Sequence, residues 1–288
     1  MSGRAWGTAA ALFYIFLWAS AYVPSKIGVV ESSPLWFLAV RFAASGAIAI
    51  VIARALGARF PRTPREWGVV ALLGILGNAL YLGLTYEALR HLASGVGAIV
   101  ASLNPLLLAI VAPWALREPL TAGKIAGLVL GFGGVVAIVA ARAGTGTAMP
   151  HDVALAFGGV VASVGSTVVF KKWCADLDLR AVTGLQLLAA ALVVLPLAIA
   201  GEGAPHAHWT WEFVTSFVYV VLVMSVGASL LWFWLLTHGE ASRVSAFYFL
   251  TPAFGLAIAA ALLHEPVGVH DLFGLSAIAA GITLVQRA

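Results

Sequence analysis

Charge is scarce in this 288-residue chain: Asp, Glu, Lys and Arg make up 10% of it, against 62% hydrophobic residues and a mean hydropathy of +1.01. Soluble domains carry about 25% charged residues, so a surface this poor in charge does not face water. Cysteine is nearly absent. The single Cys174 excludes an internal disulfide and a cysteine-based zinc site, and fits a small buried filler. Long polar stretches are also missing. Ten membrane-spanning helices of about 20 residues each would use about 200 residues and leave only short connections, with no separate soluble domain. The net charge of +4 and pI near 9.5 do not signal nucleic-acid binding, because the basic residues are scattered singly rather than grouped on one polar face.

What the sequence has instead is a succession of apolar runs at 6–29, 34–54, 67–89, 93–115, 122–141, 152–172, 181–200, 213–236, 243–263 and 269–286. Each is expected to be α-helical, since open strand edges in lipid would leave backbone polar groups unsatisfied. The expected fold is thus an all-α membrane protein of ten transmembrane helices. With the N-terminus cytoplasmic, the inner segments hold twelve basic residues, among them Arg54, Arg59, Arg62, Arg65, Lys171, Lys172 and Arg180, and the outer ones only Arg90 and Arg142. That bias places both termini in the cytoplasm. Ala19-Ser20-Ala21 after an apolar run resembles a signal-peptide cleavage site, but cutting there would remove the counterpart of the sixth helix.

An offset of 147 residues lays 89–134 on 236–281 without a gap. Leu89, His91, Leu103, Pro105, Ala112, Leu116, Glu118, Pro119, Gly127, Leu128 and Gly134 meet Leu236, His238, Leu250, Pro252, Ala259, Leu263, Glu265, Pro266, Gly274, Leu275 and Gly281. The chain is a duplicated unit, 1–145 and 146–288. Five is odd, so the second five-helix copy enters the membrane from the opposite side. Inverted repeats suit a secondary transporter, in which two similar halves exchange conformations.

Trp18-Ala19-Ser20-Ala21-Tyr22-Val23-Pro24-Ser25-Lys26, Arg41, Leu103-Asn104-Pro105, Arg117-Glu118-Pro119-Leu120-Thr121 and a glycine-rich fifth span together resemble the drug/metabolite transporter superfamily. Within it, the chain is similar to bacterial amino-acid exporters built from two EamA-type domains. The resemblance covers essentially the whole chain. It implies ten helices around a central cavity, export from the cytoplasm, and a cavity lined mainly by helices 1, 3, 4, 6, 8 and 9.

Polar and aromatic side chains in mid-span are costly unless they face the interior. The expected substrate-binding residues are Trp18, Ser20, Tyr22, Asn78, Tyr81, Ser102, Asn104, Ser163, Ser166, Trp232, Tyr248 and Thr251, with Thr85, Gln186 and Ser229 as further candidates. Tyr and Trp would offer ring faces and single donors, Asn and Ser orienting hydrogen bonds. Helix packing uses the same residue types. Pro24, Pro105 and Pro252 each remove a helical hydrogen bond and are expected bending points for gating. Lys26, Arg41 and Glu87 fall toward the outer ends of their spans, where an ion-pair cluster or outer gate competes with simple snorkelling.

No Asp or Glu stands near the centre of any span, which argues against a buried proton relay and against the small multidrug exporters. Gly123, Gly127 and Gly131 recur every four residues, the spacing for close helix approach within the protein or against another copy. The Gly131-Phe132-Gly133-Gly134 run lacks the strand-turn-helix context of a phosphate cradle. The expected partners are the lipid bilayer and a small-molecule substrate, amino acids first, with nucleosides, sugar derivatives or drugs as the alternative. No nucleic acid, cofactor or metal is expected, and the oligomeric state stays open, a monomer included. An intramembrane enzyme is the distant rival, since neither His-Glu-x-x-His nor paired mid-membrane aspartates occur.

Overall fold

A computed structural model describes residues 3–89, 91–92, 94–142, 149–254, 257 and 268–288. Among them every regular element is helical, and the one β-type contact is an isolated bridge between Ser32 and Ala207. We number the helices α1 (Trp6–Glu31), α2 (Pro34–Ala55), α3 (Pro64–Ala88), α4 (Ser94–Ala101), α5 (Asn104–Ala115), α6 (Ala122–Arg142), α7 (Pro150–Cys174), α8 (Leu179–Glu202), α9 (Trp211–His238), α10 (Ala241–Ala246) and α11 (Val269–Arg287). Seven of these, α1–α3 and α6–α9, are long and apolar enough to cross a membrane. Residues 255–256 and 258–263 of the expected ninth span, 243–263, and the whole Glu265-Pro266 pair lie outside the described residues.

Local chemistry sets the helix ends. Thr63 and Glu66 form a reciprocal capping box at the start of α3, with Pro64 at its first turn. The Asp178 and Thr210 side chains accept from backbone N–H groups at the starts of α8 and α9. Gly203, at φ 69°, terminates α8 in a backbone conformation that costs glycine nothing.

The three prolines expected to bend helices each coincide with an interruption. Pro24 follows a turn at Ala21 in α1; its ring disfavours the carbonyl four residues back, at Ser20. Pro105 follows the Ser102–Leu103 turn that separates α4 from α5. Pro252 follows a 3-10 turn, Phe247–Leu250. The last two interruptions fall at positions equated by the repeat offset. A second matched pair is less visible in the sequence. The α3 ladder widens to π geometry over Ile75–Leu80 and that of α9 over Val220–Ala228. These segments, too, stand about 147 residues apart.

The chain folds into two compact units, one of Met1–Ala19, Glu87–Val164 and His238–Ala288, the other of Ser20–Tyr86 and Gly165–Thr237. Each draws helices from both sequence halves. In the first unit α6 and α11 run antiparallel with their backbones in contact: a β-carbon on Gly127 would lie 2.5 Å from the Gly281 carbonyl oxygen, and one on Gly134 2.6 Å from that of Gly274. Gly127 and Gly134 are the repeat counterparts of Gly274 and Gly281, so each glycine meets the counterpart of the other. The glycine stripe expected from the sequence is therefore used within the chain. In the second unit α2 and α8 are likewise antiparallel, Gly46 lying against Leu188 and Gly184 against Ile50. Outward faces stay apolar, as at Val51, Trp114 and Leu192, which suits lipid rather than water.

Candidate functional site

In the second unit, polar side chains from five helices pair with one another. The Asn78 amide, inside the π segment of α3, donates to Gln186 Oε1 on α8 at 2.6 Å. The approach that permits this is set by Gly74: a β-carbon there would meet the Gln186 carbonyl oxygen at 2.0 Å. Gly77 leaves room in the same way for the Ser166 side chain. Buried Arg41, 6% exposed, reaches from α2 to α9, where Nε donates to Ser225 Oγ at 2.9 Å, and to α3, where Nη1 donates to the Tyr86 hydroxyl at 3.3 Å. The Ser225 hydroxyl in turn donates to the Val220 carbonyl, five residues back, a bond that the wider π turn makes available. The Ser20 and Tyr219 hydroxyls share a hydrogen bond at 2.5 Å.

These two sets of contacts join corresponding pairs of helices, α3 with α8 and α9 with α2. Asn78 and Ser225 stand 147 residues apart, and their partners Gln186 and Arg41 stand 145 apart. One position of the pair thus holds a neutral amide contact, the other a guanidinium.

In the first unit, aromatic rings from the two ends of the sequence converge. Tyr14 and Trp18, one helical turn apart on α1, stack with centroids 6.1 Å apart and planes at 24°. Tyr248, in the 3-10 turn, sets its ring edgewise to both, at 6.0 and 5.9 Å, and its hydroxyl hydrogen bonds that of Tyr14 at 2.7 Å. Asn104, at the start of α5, donates to Ser163 Oγ on α7 at 3.0 Å. Nearby in sequence, Thr251 Oγ1 is buried without a hydrogen-bond partner among the described residues. Such a surface offers ring faces and a few directed polar atoms, the chemistry of a small-ligand site.

One end of the first unit is tied by charge. The Glu118 carboxylate accepts from the Ala241 and Ser242 backbone N–H groups at 2.6 and 3.0 Å and from the Ser242 hydroxyl at 2.7 Å. Lys124, fully buried, donates to the Pro119 carbonyl and to Glu240. Burial alone would raise the Glu240 carboxyl, but its bonds to Lys124 and the charges of Lys124 and Arg243 bring it below the usual range.

The sequence profile of the EamA-like transporter family matches the chain twice, at residues 5–140 and 152–287. The chain belongs to the EamA-like transporter family. An uncharacterized transporter of Bacillus subtilis, YvbV, is 30% identical over 95% of this chain and 89% of its own length. An uncharacterized transporter of Archaeoglobus fulgidus is 26% identical over 95% and 96%. Protein PecM of Dickeya dadantii is 25% identical over 94% and 89%. A solved crystal structure superposes with a TM-score of 0.81 at 20% identity, covering 98% of this chain and 97% of its own, and so shares the fold. This EamA-like protein is a multi-pass membrane transporter.

Of the expected binding residues of this EamA-like transporter, the fold pairs Trp18 with Tyr248, and Asn104 with Ser163. Asn78 joins Gln186, and Ser20 joins Tyr219. Ser102 is buried; Tyr81, Trp232 and Ser166 are half-buried. Glu87 is half-buried as well, while the side chains of Tyr22 and Lys26 lie outside the described residues. Arg41 is bonded to hydroxyls, not to a carboxylate. Tyr14, Tyr86, Tyr219 and Ser225 were not anticipated. Tyr14 carries a signal, its i−4 spacing from Trp18, and Ser225 another, the repeat offset from Asn78. Tyr86 stands near a span end, where an interfacial anchor is the default reading.

Proposed function

We propose that this EamA-like transporter exports amino acids and similar small metabolites across a bacterial inner membrane by alternating access, using ten helices arranged as two inverted five-helix repeats with both termini cytoplasmic. The observation that carries the substrate reading is the Tyr14–Trp18–Tyr248 cluster, set on a helix interrupted before Pro24 and on a 3-10 turn before Pro252. An aromatic surface at broken backbone supplies both ring contacts and free carbonyls to a passing ligand. Support for inversion comes from the reciprocal glycine contacts of α6 and α11, since only copies facing opposite ways exchange counterparts along antiparallel helices. The charge bias of the loops supports the orientation. Trp18, Ser20, Tyr22, Asn78, Tyr81, Ser102, Asn104, Ser163, Ser166, Trp232, Tyr248 and Thr251 contact the substrate in this reading. Pro24, Pro105 and Pro252 serve as its hinges, with Lys26, Arg41 and Glu87 toward the outer end.

Counterflow in proteoliposomes with labelled aromatic, aliphatic and hydroxyl amino acids tests the reading. Exchange of at least one class is expected. Exchange of nucleosides or sugar derivatives with none of the amino acids would replace the substrate claim.

A further inference from the structure

We infer that Arg41, with Tyr86 and Ser225, is a carboxylate-recognition site, and that the transported substrates are carboxylates. This rests on the export reading above, because a pathway has to bring an anion to the buried Arg41.

The argument begins with charge. A guanidinium buried among apolar helices is costly unless a counter-charge meets it, and removing ions from water costs several kcal/mol in practice. Arg41 is 6% exposed, yet no carboxylate among the described residues forms an ion pair with it. Its hydrogen-bond partners are two hydroxyls, and its guanidinium carbon lies 5.9 Å from the Phe42 ring centroid. Of its five N–H donors, Nε is spent on Ser225 and one Nη1 hydrogen on Tyr86. The second Nη1 hydrogen and both Nη2 hydrogens remain, and those two nitrogens form the planar fork that matches a carboxylate in bidentate fashion. Nor is Nη2 among the sealed, unbonded side-chain atoms, which among the described residues are Thr183 Oγ1 and Thr251 Oγ1.

The duplication supplies an internal control. Gln186 on α8 and Asn78 on α3 connect the corresponding pair of helices with a neutral amide contact. A contact between such a pair of helices can therefore be made without a charge. The cation at Arg41 is surplus to packing, and a mobile anion is the partner it lacks. The flanking phenol and hydroxyl then hold the guanidinium in register, and the π turn over Val220–Ala228 sets the direction of Ser225.

Two measurements separate this inference from the export reading. In detergent, phenylacetate is expected to raise the thermal unfolding midpoint of the wild type, while phenylacetamide and chloride at equal concentration do not; Arg41→Gln abolishes the rise and Arg41→Lys weakens it. In proteoliposomes, labelled phenylalanine is expected to exchange at least tenfold faster than phenylalaninamide, a preference lost in Arg41→Gln. Equal effects of phenylacetate and its amide on the wild type, an equal shift with chloride, or an unchanged preference in Arg41→Gln would overturn the site. If Arg41→Gln fails to fold, the wild-type comparison and Tyr86→Phe decide: weaker phenylacetate binding in Tyr86→Phe upholds the site, and unaltered binding overturns it. Stabilisation by phenylacetate without exchange of any amino acid would leave the site standing and remove the export reading.

Discussion

Gly127 and Gly281 face each other so closely that a β-carbon on either would lie 2.5 Å from the carbonyl oxygen of the other. Backbone atoms cannot yield as a flexible side chain would, so α6 and α11 have to separate when either glycine is replaced. Gly127→Ala is expected to cost about 2 kcal/mol, in the range for overpacked interiors, and Gly127→Leu to abolish stable insertion. Unfolding in mixed micelles measures the first, and membrane yield the second. Gly133→Ala, with open space at its β position, is expected to be neutral in the same assay.

The Asn78–Gln186 bond should report as a coupled pair. Asn78→Ala leaves the buried Gln186 oxygen unsatisfied and is expected to cost about 1–3 kcal/mol. Adding Gln186→Leu should recover part of that loss, because it removes the orphaned acceptor as well. A double-mutant cycle on unfolding free energies measures the coupling, and strict additivity would remove the bond from the account.

Glu118 holds the start of α10 through three hydrogen bonds. Glu118→Ala is expected to destabilise by about 2 kcal/mol, since charged acceptors contribute more than neutral ones. Limited proteolysis near Ala241 should accelerate in the variant while the distant start of α8 stays protected.

Acid should act through the loop before α8. Asp178 is pulled down to about 2 first by its side-chain bonds to Arg180 and further by the Arg59 and Arg180 backbone N–H groups, against an opposing effect of burial. A carboxyl depressed in the folded state stabilises above its unfolded value of about 3.9 and loses that contribution as pH falls toward 2. Asp178→Asn is therefore expected to lower the unfolding midpoint at pH 6 and to match the wild type near pH 2. A constant gap across that window would contradict the assignment.

Trp18→Ala is expected to impair transport while leaving membrane yield intact, because the ring is part of an aromatic surface and the helix around it needs only apolar bulk. Wild-type flux in proteoliposomes containing the variant would take Trp18 out of the pathway.

Some of the site was readable in one dimension. A proline removes a helical hydrogen bond, and Pro24, Pro105 and Pro252 mark interruptions that the fold contains, whereas Pro113 and Pro196 sit within continuous helices. The doubled Glu-Pro turn and the paired glycines announced duplication, because identities in one frame survive where apolar bias alone would blur them. The facing residues were harder to read. Helices that are apolar all round give no amphipathic stripe, so the side that turns inward is not written in their pattern. Tyr86 and Ser225 show this: their value comes from Arg41, 45 and 184 positions away.

Composition and periodic apolar runs alone determined that this protein lives in lipid, is helical and is built twice, since backbone hydrogen bonding in a solvent without water admits few other arrangements. The tertiary structure decided which residues became neighbours. Rotation about each helix axis, and the extra turn geometry in α3 and α9, placed an amide against Gln186 in one contact and two hydroxyls against Arg41 in another. Those angles follow from packing between distant segments, and local sequence carries no record of them.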